Sequence, residues 1–147
     1  MEQRLSYSKA APEGIENLRK LEGYIKKAGL EPDLMELVKL RASQLNGCAY
    51  CIDMHTKDAR TNGESEQRLY GVNAWHEAPF YSERERAALA WTEAVTLISQ
   101  DHVPDEIYAE ARKYFSEKEL VDLTLGIIAI NSWNRLAVSF RTLAGSY

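Results

Sequence analysis

What the chain lacks narrows it quickly. No stretch approaches roughly 18 uninterrupted apolar residues, so no segment is expected to span a membrane. The N-terminus, Met1-Glu2-Gln3-Arg4-Leu5-Ser6-Tyr7, has no apolar run of the signal-peptide kind. Basic runs with interleaved aromatics are missing, and a net charge of −4 argues against a nucleic-acid surface. No alternating strand pattern is present, and both Asn-Gly pairs, Asn46-Gly47 and Asn62-Gly63, are bracketed by helical patterns. There is no internal repeat, no low-complexity segment, no second CxxC and no HxxxH. Cysteine is scarce: the chain has 2, both in one CxxC. Such a pair cannot staple a secreted fold, whereas in a reducing cytosol it can cycle. The cytoplasm is the expected address.

What is there reads as helix. The 147 residues, 45% hydrophobic and 27% charged, fit one soluble domain, with an N-terminal helical arm over about 1–30 and a core over about 31–147. Pro12 opens a helix carrying Ile15, Leu18, Leu21, Glu22, Ile25 and Ala28, and Gly29 ends it. After Glu31-Pro32-Asp33, Leu34, Leu37, Val38, Arg41 and Leu45 make one stripe of a second helix, stopped by Asn46-Gly47. The next should run from about Cys48 to Asn62, with a short one around Glu66 to Tyr70 and an irregular stretch beyond. Ser82 with Glu85 and Ser116 with Glu119 are capping-box pairs. The first opens a helix continuing through Leu97 and Ile98, and Pro104 opens another. The second capping box opens the longest helix, to about Leu143. Its centre, Leu123 to Ile130, is apolar all round, which predicts burial on all sides, partly by another subunit.

The chemistry gathers in Gly47-Cys48-Ala49-Tyr50-Cys51-Ile52-Asp53-Met54-His55. At about 100° per residue, Cys48, Cys51 and His55 fall within roughly 60° on one helix face. Both cysteines are expected in the first turn, where unpaired N–H groups and the macrodipole favour a thiolate. His55 is one turn beyond Cys51, and Cys48 one turn before it. The spacing points to Cys51 as attacking thiol, His55 as its proton partner and Cys48 as the thiol that resolves an oxidised Cys51 into a disulfide. Zinc is the rival, with Cys48, Cys51 and His55 as ligands and His76 or His102 as a fourth. The missing second cluster argues against it, so no metal and no cofactor are expected. A thioredoxin-like fold needs a strand before its CxxC, where this chain has helical periodicity.

Other candidates read as structure. His76 and His102 are expected on the surface and Trp91 and Trp133 in the core, while Glu93 is given no role. Asn131, Asn134 and Arg135 need partners if buried, and a structural role is favoured. Glu36 lies opposite the Leu34/Val38 stripe and by itself reads as a solvated glutamate.

The run from Glu36 through Arg41-Ala42-Ser43-Gln44-Leu45-Asn46-Gly47 to Cys48-Ala49-Tyr50-Cys51 and His55 resembles the alkylhydroperoxidase D-like branch of the carboxymuconolactone decarboxylase family. Looser similarity continues through Glu85 to Thr96 and Asn131 to Leu136. The resemblance implies an all-α helical bundle assembling as a homo-oligomer, trimer or hexamer. It also implies thiol peroxidase activity on a peroxide substrate without metal or haem. Cys51 matches the peroxidatic cysteine and Cys48 the resolving one, with His55 and Glu36 as parts of a proton relay. Tyr50 stands where some relatives have histidine. The chain is short for the alkylhydroperoxidase D that takes electrons from a lipoyl-bearing protein, so its dithiol or lipoyl-type reductant is unidentified. Two alternatives stand beside this: a redox sensor or oligomeric binding protein that does not turn over, and a lactone decarboxylase, whose branch lacks the paired cysteines.

Overall fold

A computed structural model describes residues 1–147. The chain is all-helical, with nine α-helices and no strand. They are α1 (Tyr7–Ala10), α2 (Pro12–Lys27), α3 (Pro32–Leu45), α4 (Ala49–Thr61), α5 (Glu66–Gly71), α6 (Glu83–Thr96), α7 (Ile98–Asp101), α8 (Asp105–Tyr114) and α9 (Glu117–Phe140), with a 3₁₀ turn at Val72–Ala74 after α5.

Local signals set most of these boundaries. Proline sits in the first turn of α2 and α3, where a missing N–H costs nothing. Both capping boxes form: the Ser82 and Ser116 hydroxyls accept from the N–H of Glu85 and Glu119, whose carboxylates accept in return from the serine N–H. Such caps contribute about 1 kcal/mol each. Gly47 takes φ 63° to reverse the chain between α3 and α4, a left-handed turn that suits glycine.

Two boundaries depart from the expectation. The helix opened at Ser82 gives way at Leu97, where Asn131 of α9 donates to the hydroxyl of the preceding Thr96 and fixes its end. The longest helix stops at Phe140 rather than near Leu143. There Arg141 adopts φ 54°, Thr142 N–H bonds Ala137 C=O and Arg141 N–H bonds Val138 C=O. That is a Schellman closure in which an arginine holds the position glycine usually takes, so no glycine marks it.

The central helix is α3, which meets α4, α6 and α9. Its buried residues go round it: Leu34, Met35, Leu37, Val38, Lys39, Leu40, Ala42 and Ser43. One side joins the largest core, with Ile25, Trp91, Phe115, Leu123 and Ile127. The other joins Ala59, Leu69, Val72, Trp75 and Leu89. The helix α9 passes α3 so closely that a Cβ on Gly126 would run into Met35 Cε. Within one chain α9 keeps one face uncovered, the share the sequence leaves to another subunit. Val121 and Ile128 are 59% and 46% exposed, while α2, α3, α4, α6 and α8 cover the other faces.

Candidate functional site

The site begins at the α3–α4 turn. Cys48 N–H bonds Ser43 C=O, and the cysteine then takes an extended backbone (φ −85°, ψ 93°) that makes it the cap of α4. Its Sγ accepts the N–H of Cys51 at 3.3 Å, the place a serine or aspartate oxygen usually fills. Cys48 therefore lies outside the helical arc, not in its first turn as expected. The two cysteines are joined as a disulfide, with Cα atoms 5.4 Å apart. Both residues are only 1% exposed.

One turn after Cys51, His55 is buried beneath α3, and its Nδ1 lies 2.9 Å from Glu36 Oε2. The solvated reading of Glu36 fails because α4 packs along α3 and covers that face. Burial pushes the Glu36 carboxyl upward. The hydrogen bond from His55 and the charges of His55, Lys39 and Lys26 outweigh it and hold the group below the usual carboxylate range. An ionised carboxylate has no proton to give, so Nδ1 of His55 is the donor. When the ring is neutral, this leaves Nε2 with a free lone pair, the form that accepts a proton.

Lys39, one turn along α3 from Glu36, is the residue the sequence did not reveal. It is a lysine among apolar neighbours, 7% exposed. Its Nζ lies 3.8 Å from Glu36 Oε1 and donates to Glu22 Oε2 of α2 at 3.4 Å. Glu22, Lys39, Glu36 and His55 thus form one polar line across α2, α3 and α4. The line opens on a cavity of about 440 Å³, walled also by Cys51, Tyr50, Met54 and Trp133. Cys48 does not line it. Trp133, expected in the core, is part of this wall; its only sequence signal was an aromatic flanked by polar residues on an apolar helix.

The remaining polar residues are separate from the cavity. Asn46 donates to Asn131 and Asn134 at 3.0 and 2.8 Å, and Asn134 donates to Ser43 at 3.0 Å. These amides tie α9 to the turn that launches α4. Arg135 donates to Asn131 Oδ1 at 2.8 Å. His102 is exposed, and His76 stacks on Trp75 beside Glu93. Of the zinc set, neither His76, which lines a different groove, nor exposed His102 joins the cavity of Cys51 and His55, and in this structure the two sulfurs are bonded to each other. The group that offers ligand atoms is Glu36, His55 and exposed Asp58, all within 4.8 Å of one another. Lys39 competes with any cation for the carboxylate of Glu36.

Residues 10–94, from α1 to late α6, match the model of the carboxymuconolactone decarboxylase family. The uncharacterized protein YdfG of Bacillus subtilis (strain 168) is 49% identical over 146 residues, 99% of each chain. The crystal structure of ATU0492 from Agrobacterium tumefaciens superposes with a TM-score of 0.95 at 44% identity, over 99% of this chain and 100% of that one. ATU0492 is a protein of unknown function for which an AhpD-type role in antioxidant defence has been suggested. The debrominase Bmp8 shares the fold, with a TM-score of 0.84 at 22% identity over 94% of this chain and 74% of that one. With its CxxC pair and this helical frame, the chain belongs to the carboxymuconolactone decarboxylase family, in the alkylhydroperoxidase D-like branch.

Proposed function

We propose that this protein is a thiol-dependent peroxidase that reduces organic peroxides through a Cys48–Cys51 disulfide cycle. The observation that carries the reading is the shared cavity: Cys51 lines it together with the His55–Glu36 pair. In the reduced protein, Nε2 of His55 takes the proton of Cys51. The Cys51 thiolate attacks one peroxide oxygen, the O–O bond breaks, and the leaving alkoxide receives that proton. Cys51 is left as a sulfenic acid. Cys48 then attacks it, water leaves, and the disulfide forms. The Cys51 N–H at Cys48 Sγ stabilises the resolving thiolate without an imidazole of its own. Glu36 fixes the tautomer of His55, and Lys39 holds Glu36.

The volume of about 440 Å³ and the Trp133 and Tyr50 walls favour an organic peroxide over hydrogen peroxide alone. The reading treats residues 1–147 as one domain, because α1 and α2 of the arm supply Tyr7, Ser8 and Glu22 to the wall. It also takes the protein as a homo-oligomer through the uncovered α9 face of Val121 and Ile128. Light scattering should then give a multiple of 16.7 kDa, three or six being expected. A monomer at micromolar concentration removes that part.

The deciding experiment is consumption of cumene hydroperoxide, tert-butyl hydroperoxide and hydrogen peroxide with a dithiol present. Continuous turnover that disappears in Cys51→Ser supports the peroxidase. One oxidation per chain with no turnover under any dithiol replaces it with a redox sensor.

A further inference from the structure

The disulfide is shared between two separate hollows. Cys51 lines the cavity described above, whereas Cys48 lines a second groove of about 450 Å³. That groove is bounded by Arg4, Gly47, Ala49, Val138 and Thr142. Tyr50 is the one residue common to both, so its side of α4 divides them. Burial, with Tyr7 and Tyr147 nearby, pushes the Tyr50 phenol upward, and the divider is uncharged. Since both cysteines are almost wholly buried, a reagent reaches either one by its own hollow.

The two hollows differ in charge. The Cys51 cavity has three carboxylates, Glu22, Glu36 and Asp58, balanced by three cations, Arg19, Lys26 and Lys39. The Cys48 groove has no carboxylate and no histidine; its charged side chains are Arg4 and Arg141. Arg4 is held in place by a 3.0 Å bond to Ser139 C=O. Fixed cations raise the thiolate share of a nearby thiol and attract the anion, while carboxylates do the opposite. The walls between the arginines are short and mostly apolar, including Ala49, Ala137 and Val138.

We infer that this second groove is the entry site for the reductant, an aliphatic dithiol, whose thiolate attacks Cys48 rather than Cys51. This rests on the disulfide cycle of the proposed function. The first thiolate forms a bond to Cys48 Sγ, the Cys48–Cys51 bond breaks, and Cys51 departs with the electron pair into the cavity where His55 can supply a proton. The second thiolate of the reductant attacks the reductant's own sulfur in the mixed disulfide. The reductant closes to its disulfide, and Cys48 is released as a thiolate against the Cys51 N–H. Two thiols are oxidised, two cysteines are reduced, and the two protons move from one pair to the other. Peroxide and reductant therefore need not exchange places in one cavity between half-reactions.

The test starts from wild-type protein oxidised with diamide, so that it does not depend on peroxide. A millisecond pulse of the monothiol 2-mercaptoethanol, acid quench and alkylation leaves the adduct on whichever sulfur was attacked, and tandem mass spectrometry locates it. The expected result is an adduct mainly on Cys48, and reduction by dithiothreitol at least tenfold slower in Val138→Trp, which fills the groove. An adduct mainly on Cys51 overturns the inference. So does a Val138→Trp protein of wild-type helicity whose reduction is slowed less than tenfold. A protein inert to peroxide but attacked at Cys48 would sink the peroxidase reading and leave the groove assignment standing.

Discussion

The molecule holds two glutamates of similar company and different consequence. Glu36 and Glu93 each have a cation from α3 and an imidazole: Lys39 and His55 for the first, Arg41 and His76 for the second. At Glu93 one carboxylate oxygen is fully occupied, Oε1 accepting from Arg41 at 2.8 Å and from Trp75 at 2.7 Å. Its histidine is 66% exposed, 3.5 Å away, and stacked on Trp75. At Glu36 the histidine is 8% exposed and bonded at 2.9 Å, and its cavity contains a disulfide sulfur. A carboxylate–histidine pair becomes a candidate for chemistry when the ring is buried, oriented and beside a nucleophile. Otherwise the same groups act as a tie between helices, here α3 and α6 joined by Arg41 and Glu93.

The largest difference should come from the sulfur. Cys51→Ser should abolish oxidation by peroxide in stopped-flow measurements, while Cys48→Ser retains one rapid oxidation that stops at a trappable sulfenic acid. Sulfenic acid formed at the wild-type rate in Cys51→Ser would reverse the two roles. Next are the histidines. His55→Ala should slow that first step by about ten- to a thousand-fold, the scale of losing a positioned base, while His76→Ala stays within about twofold. Equal effects would erase the distinction between the two pairs.

The glutamates should then separate by readout. Glu36→Gln should slow oxidation by about tenfold, through the lost hold on His55. Glu93→Gln should leave the rate near wild type and lower stability instead, by about 1–3 kcal/mol in urea unfolding, as a buried charge partner is removed. The smallest effect is in pH. The Glu36 carboxyl is held below its unfolded value of about 4.3, so its stabilising contribution is complete above that pH and is lost as pH falls through the lower folded value. The urea midpoint advantage of wild type over Glu36→Gln should therefore shrink on acidification below about pH 4. An advantage that stays constant from about pH 6 to 3 would show that Glu36 is not depressed.

The sequence by itself determined the helical frame. Proline at the starts of α2 and α3, the serine capping boxes of α6 and α9 and the Asn46-Gly47 reversal are local signals, closed by hydrogen bonds within a few residues. The one-turn spacing of Cys51 and His55 is likewise local. Where a local signal is absent, the boundary lies elsewhere than the pattern suggests: Arg141 ends α9 without a glycine, and Cys48 caps α4 with sulfur where no serine or aspartate announces a cap. Only tertiary structure decided the company of Glu36. Periodicity placed it on an open face, and it is closed by a histidine 19 residues away on another helix. The same holds for Lys39, whose partner Glu22 is 17 residues earlier on α2, and for Trp133, carried to the cavity by α9. Helix propensity and caps are properties of neighbours in the chain. Which of two cysteines meets which hollow depends on how three helices pack, and packing joins residues that no short stretch of sequence contains.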